Sequence, residues 1–314
     1  MPWSVGTLTT AACSDCALPA SNDLVRTLIF YLFIKIIQLN KHCMLQITQL
    51  FIYPIKSMGG VQITSGEVTD RGLKFDRRWM LVDDKCAFIT QREFPQMALL
   101  KLQMGEDYLR VSNHYSNTQD ILVPFESLEK EDFKVTIWNA VCNAVGAGRL
   151  IDEWFSEVLK IKCRLVYMPD ESMRPVDTTS GYAPKGKFTS FADAYPFLLL
   201  GEASVNDLNT RLTTPVTVTR FRPNIVFSGG LPYQEDVIEE FKINGINFTG
   251  LENCGRCSIV SINQESAAVT KEPLKILSAY RKSNNNIYFG RNLVHSGLGK
   301  INVGDEIVIE ENNL

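Results

Sequence analysis

The sequence predicts an α+β protein in which β-structure dominates. Short β-branched and apolar runs follow Met44 at close intervals, turn residues punctuate them, and only three stretches hold apolar residues at helical spacing. Leu45 to Tyr53 and Val61 to Val68 have strand character, with Met58-Gly59-Gly60 as the turn between them. Trp79 to Val82, Asp83-Asp84-Lys85 and Ala87 to Thr90 read as a hairpin. In Arg149 to Leu159, the residues Leu150, Ile151, Trp154, Phe155, Val158 and Leu159 form one apolar helical face. Further helices are expected at Glu202 to Leu212 and at Pro273 to Lys282, where proline suits a first turn. Between them lies the clearest hairpin, Phe241 to Phe248, because Asn244-Gly245 supplies the positive φ values of a type I′ turn. The last strand is expected at Glu306 to Ile309.

The chain has 314 residues, enough for two domains with real cores. A net charge of −3, a pI near 5.8 and no Lys/Arg-rich block argue against nucleic acid as a partner. Eight irregularly placed cysteines are too sparse for a disulfide scaffold and suit a reducing compartment, which places the protein in the cytoplasm. Residues 1–43 differ from the rest. Leu28 to Ile34 is strongly apolar, but Arg26 and Lys35 bracket it well short of the ~20 residues a spanning helix needs, so no integral membrane span is expected. This extension reads as a mis-assigned start, with translation beginning at Met44, or as a short amphipathic helix from Leu24 to Leu39.

The densest chemical signal is Cys254-Gly255-Arg256-Cys257, which is expected to run straight into a strand at Ser258 to Ile262. Thiolate binds soft or high-valent metals, and a neighbouring guanidinium lowers the cost of holding a cysteine ionised. Three other readings stand beside a metal site. Structural zinc needs further ligands, yet the other C-x-x-C, Cys13 to Cys16, is remote, and His42, His114 and His295 are not paired at ligand spacing. A thioredoxin-like dithiol belongs before a helix rather than a strand. Two inert buried cysteines are the ordinary alternative. Local chemistry leaves these open.

Polar clusters sit at other strand ends. Lys56 and Ser57 follow the first strand, Arg77 and Arg78 precede Trp79, and Arg220, Arg222 and Asn224 precede Ile225. Each one alone fits a solvated strand end, but together they supply the donors that an anionic phosphate takes. A phosphorylated cofactor carrying its own metal would use both the clusters and the cysteine.

With these motifs in order, the chain resembles the MOSC proteins, the family named after the C-terminal domain of molybdenum cofactor sulfurase. Within that family it is most similar to the mitochondrial amidoxime-reducing components and their bacterial relatives. The resemblance rests on Tyr53-Pro54-Ile55-Lys56-Ser57, Asp76-Arg77-Arg78-Trp79, Tyr195 to Leu199, Asp207 to Leu212, Phe221 to Ile225, Cys254 to Cys257 and Val303-Gly304-Asp305, over about 270 residues. It implies an N-terminal β-barrel-like domain (44–165) packed on a C-terminal MOSC β-barrel (175–314). Between them it implies a molybdenum–molybdopterin cofactor. In the family pattern Cys257 is the metal ligand and catalytic centre, with Arg256 beside the cofactor. Lys56, Ser57 and Arg77 match pterin and phosphate contacts of the N-terminal domain, and Arg222 and Asn224 match those of the MOSC domain. Ala194 and Tyr195 fall where relatives have Thr-Ser, and Asn292 where some have tyrosine, so these contacts fall to backbone groups. Cys254 receives no role.

The implied activity is reduction of amidoximes, hydroxylamines and N-hydroxylated bases. The chain shows neither C-x4-C-x2-C nor a G-x-G-x-x-G after a strand, and its last strand ends close to Leu314. An external ferredoxin, cytochrome or flavoprotein donor is therefore expected. Two alternatives belong to other classes: a sulfur carrier with a persulfide on Cys257, and a non-catalytic cofactor-binding module.

Overall fold

The computed structural model describes residues 44–113, 118–126, 131–178, 181 and 183–309, and the readings made for residues 1–43 lie outside them. Residues 44–314 belong to one compact unit. Among the described residues no helix is long and apolar enough to cross a membrane.

The largest sheet takes strands from both ends of the chain. Its order is Val61–Ile63, Gln46–Ile52, Ile225–Ser228, Phe197–Gly201, Asn286–Ser296, Ile246–Gly255, Glu240–Ile243 and Ile307–Ile309. All these pairings are antiparallel except that of Phe197–Gly201 with Ile225–Ser228. Backbone bonds from Ile307 N–H to Leu45 C=O (2.8 Å) and from Ile47 N–H to Asp305 C=O (2.9 Å) then join its far strand to Gln46–Ile52. That junction curls the sheet into a barrel, which removes exposed edges. Inside lie Leu50, Ile52, Phe197, Leu199, Ile225, Phe227, Phe241, Phe248 and Leu293, all fully or nearly buried. The first strand of the N-terminal half is thus part of the C-terminal barrel.

The remaining N-terminal residues build a four-stranded sheet, Trp79–Val82, Arg164–Tyr167, Ala140–Gly146 and Asp132–Ile137, and a three-stranded meander over residues 100–124. The helix α1 (Arg149–Leu159) lies between them and buries Ile151, Trp154, Phe155 and Leu159. The helices α2 (Glu202–Asn209) and α3 (Leu274–Tyr280) flank the barrel. The protein is α+β with β dominant, as the sequence predicts.

Several local expectations change. Leu150 is 71% exposed, so it sits off the apolar face of α1. Val61–Val68 divides at Thr64, one part pairing with Gln46–Ile52 and the other with Gly299–Asn302. The second arm of the Trp79 hairpin makes only isolated bridges, Val82 to Phe88 and Ala87 to Thr136. Pro273 is the N-cap of α3 rather than a first-turn residue. The type I′ turn forms as expected, with φ of 47° at Asn244 and 79° at Gly245.

Beneath α2, Glu235 is fully buried, accepts from Ser204 Oγ at 2.8 Å, and leaves Oε1 without a partner. Burial pushes its carboxyl up to about 7 from 4.5, with the Ser204 bond opposing. The folded state therefore holds a proton that the unfolded chain releases near 4.5. This stabilisation is complete below that value and is lost as pH rises through about 7. Glu235→Gln keeps the uncharged form at every pH and is expected to stabilise the protein by about 3 kcal/mol at pH 8. Urea midpoints should separate at pH 8 and converge near pH 4.5, and equal midpoints at pH 8 would contradict an ionisable Glu235 in the fold.

Candidate functional site

A cavity of about 260 Å³ opens where loops from the N-terminal residues meet one end of the barrel. Its lining contains every residue expected from the sequence: Lys56, Ser57, Arg77, Ala194, Tyr195, Arg222, Asn224, Arg256, Cys257 and Asn292. Positions up to 236 residues apart in sequence thus meet around one space.

Local backbone geometry aims these side chains. Ser57, Arg77 and Arg222 have φ of 66°, 50° and 58°, a left-handed conformation that costs a non-glycine residue roughly 1–2 kcal/mol. Backbone bonds hold Arg77 there, from its N–H to Tyr53 C=O and from Phe191 N–H to its own C=O, both 2.9 Å. The turn separates Arg77 from its neighbour. Arg78 instead donates to Met168 C=O and pairs with Asp170, and Arg220 reaches Val260 C=O at 3.5 Å. Only one arginine of each sequence pair enters the cavity.

Tyr53 explains the spacing of the two that do. Its ring is fully buried, with the Arg222 guanidinium carbon 4.2 Å from the ring centroid and that of Arg77 at 4.4 Å. Stacking on an aromatic face offsets part of the cost of bringing two guanidiniums together. Asn224 adds a second brace. Its Oδ1 accepts from Arg77 Nη1 and from Leu198 N–H, both at 3.2 Å, and its Nδ2 donates to Phe51 C=O at 3.2 Å. The Asn224 amide therefore faces the cavity while bonded to protein, and its evident work is to hold Arg77.

The electrostatics are lopsided. Five cationic side chains, Lys56, Arg77, Arg92, Arg222 and Arg256, line the cavity against two carboxylates, Asp193 and Glu252. Lys56 pairs with Asp193, and Arg77 pairs with buried Asp76 at 2.6 Å. Burial lowers the Lys56 ammonium to about 8 while Asp193 works against that shift. Burial likewise lowers Arg222 to about 10, and Arg77 adds to it. Asp193 lines the cavity with 56% of its side chain solvent-accessible; the surrounding walls disfavour its charge, yet Lys56 prevails and holds the carboxyl well below the usual range. Among the described residues, Arg92, Arg222 and Arg256 have no carboxylate partner, and buried Arg256 Nε has no hydrogen-bond partner. Half-buried cations without a counter-ion are costly, so the cavity suits an anion.

The cysteines complete it. The strand Ile246–Gly255 ends inside the motif, and Ser258–Ser261 is a 3₁₀ turn capped by Cys257, not the expected strand. The 3₁₀ turn forms because Val260 N–H bonds back to Cys257 C=O (3.3 Å), which buries Ile259 and Val260 beneath the loop. The objection that a strand follows the cysteines therefore falls away. Cys254 Sγ is held by Arg256 Nη1 at 3.0 Å, whereas Cys257 Sγ has a looser contact of 3.7 Å with Arg92 Nη1. Both line the cavity, and Cys257 is the less committed sulfur. Ser57 Oγ and the Asn292 amide face the space without protein partners among the described residues. The donor set of guanidinium, ammonium, hydroxyl and thiol suits an anionic, phosphate-bearing group with a thiolate-bound metal.

Arg92, Trp138, Asp193 and Glu252 were not legible from the sequence. Arg92 stacks on Trp138 at 4.7 Å, and Trp138 Nε1 donates to Asp193 Oδ1 at 3.3 Å, so Trp138 braces two lining residues from outside the lining. Glu252 alone carried a signal, since it lies two residues before Cys254 on a strand and shares its face.

A family model described as the MOSC N-terminal beta barrel domain matches residues 44–162, and one described as the MOSC domain matches residues 187–308. The chain is 32% identical over 280 residues to mitochondrial amidoxime-reducing component 1 of Homo sapiens, covering 84% of this chain and 82% of that protein. It is 29% identical over 279 residues to mitochondrial amidoxime reducing component 2 of Rattus norvegicus, covering 83% and 82%. Similarity also extends to molybdenum cofactor sulfurase of Oryza sativa subsp. japonica, 30% over 265 residues, which is 78% of this chain but 32% of that protein.

Proposed function

The chain belongs to the MOSC family, with a MOSC N-terminal beta barrel domain ahead of the MOSC domain, and from that premise we propose that it is a molybdenum-cofactor-dependent reductase of N-hydroxylated compounds. One observation carries the proposal: three arginines without carboxylate partners and two cysteines face a single cavity. Arg77, Arg222, Lys56 and Ser57 would hold the pterin and its phosphate, and Arg256 would approach it from beside Cys257. Cys257 would supply the thiolate ligand.

The bound cofactor supplies two-electron removal of oxygen from an N–OH group. The overall change consumes two electrons and two protons, breaks the N–O bond, and leaves the reduced base and water. The protein's part is positional. Tyr53 and Asn224 keep the cations in place, the Lys56–Asp193 pair forms part of one wall, and Trp138 steadies Arg92. The electrons are assigned to a separate ferredoxin, cytochrome or flavoprotein.

Protein purified from a host that makes the cofactor is expected to contain near-equimolar molybdenum and pterin. With reduced viologen as donor, it should convert benzamidoxime to benzamidine. Cofactor without conversion would mark a non-catalytic binding module. The likeness to sulfurases favours a sulfur carrier as the second reading, and transferable sulfane sulfur on Cys257 in metal-free protein would establish it.

A further inference from the structure

The strands Ile246–Gly255 and Asn286–Ser296 pair with irregular register on both sides of Asn253, which lies opposite Arg291. Arg291 Nη1 donates to Asn253 Oδ1 at 3.1 Å, which puts those two side chains on one face of the sheet. Alternation sends Glu252, Cys254 and Asn292 to the other face, and all three line the cavity.

Glu252 is half-buried, and Tyr195 Oη donates to its Oε1 at 2.8 Å. Among the described residues Tyr195 is its one hydrogen-bond partner, which leaves Oε2 without one on a residue that lines the cavity. The other lining carboxylate, Asp193, has its charge matched by Lys56 and accepts from Trp138, both at Oδ1, whereas among the described residues Glu252 has no ion-pair partner. One wall of a cationic cavity therefore presents an uncommitted carboxylate oxygen flanked by an amide.

We propose that Glu252, braced by Tyr195 and flanked by Asn292, selects the substrate. It favours N-hydroxylated bases that carry a second N–H donor on the same carbon, namely amidoximes and N-hydroxyguanidines, over hydroxamic acids. The inference rests on the reading of this cavity as the site of N–OH reduction. An N–H group facing Oε2 gains a charge-assisted hydrogen bond. The carbonyl oxygen of a hydroxamic acid in the same place meets a second acceptor, so both groups lose solvation without gaining a partner. The selectivity is local to Glu252, since the cavity's overall charge does not favour a cation.

Benzamidoxime and benzohydroxamic acid have nearly the same shape, are both largely uncharged near neutral pH, and differ in presenting N–H₂ or C=O on the carbon that carries the N–OH group. By calorimetry on oxidised, cofactor-loaded protein with no reductant present, benzamidoxime is expected to bind about 10- to 100-fold more tightly than benzohydroxamic acid. That preference should fall to near parity in Glu252→Gln and shrink in Tyr195→Phe. Equal binding in the unaltered protein, or a preference that survives Glu252→Gln, overturns the proposal. Turnover separates the two readings. Reduction of benzamidoxime and benzohydroxamic acid with an unaltered ratio of kcat/KM in Glu252→Gln keeps the reductase and removes this role for Glu252. A Glu252-dependent preference for benzamidoxime without turnover of either compound keeps the ligand selection and removes the reductase.

Discussion

A Cys257→Ala protein is expected to leave a cofactor-making host folded but nearly free of molybdenum. Cys257 is half-buried, caps a short 3₁₀ turn through its backbone, and offers its sulfur only a 3.7 Å contact from Arg92, so truncation removes little packing. Its thiolate would nevertheless be the protein's covalent hold on the metal, and no neighbouring oxygen or nitrogen donor replaces a soft ligand. Cys254→Ala should behave differently. Cys254 Sγ sits against Arg256 Nη1, whose guanidinium is also anchored to Phe221 C=O at 2.6 Å, so the loop keeps its place without that sulfur. Metal and pterin analysis of both variants beside thermal melts decides the matter. Molybdenum retained in Cys257→Ala would remove the ligand assignment, and metal lost only in Cys254→Ala would move it to the other sulfur.

The second large effect is expected on stability. Asp76 is 2% exposed and accepts from Tyr53 N–H at 2.8 Å and from Arg77 Nη1 at 2.6 Å, so one carboxylate ties the end of the first strand to a cavity arginine. Asp76→Ala leaves a largely buried guanidinium and a backbone N–H without their acceptor. Breaking a buried pair from one side costs about 3–5 kcal/mol, far more than the pair contributes relative to an apolar replacement. Urea unfolding should show that loss in Asp76→Ala and a smaller one in Asp76→Asn, which preserves an oxygen acceptor. A change below about 1 kcal/mol, the size expected of a surface pair, would show that solvent already relieves Arg77.

Some of this site could be read directly. Lys56, Ser57, Arg77, Arg222 and Cys257 each stand at a strand end or turn, where composition and spacing announce a polar cluster, and the family resemblance gave each a role. The Asn244-Gly245 hairpin and the α1 helix were equally plain, because each depends on interactions within a dozen residues. The 3₁₀ turn at Ser258–Ser261 was not. Its β-branched residues favour a strand locally, but burial beneath the loop prevails over that propensity. Arg92 and Asp193 were hidden for another reason: they lie in irregular segments, and nothing in their neighbours records that Trp138 joins them.

The β-dominant class and the chemical inventory of cations and sulfur are legible in the amino-acid order because residue type and short-range periodicity belong to each segment alone, and the family is legible through the resemblance of its motifs. Folding at long range sets that Gln46–Ile52 belongs to the C-terminal barrel, that one arginine of each pair turns inward around Tyr53, and that Glu252, among the described residues, is the lining carboxylate without an ion-pair partner. Those outcomes depend on contacts between residues from a few dozen to well over a hundred positions apart, where side-chain direction and unpaired charge exist only after the chain has closed on itself.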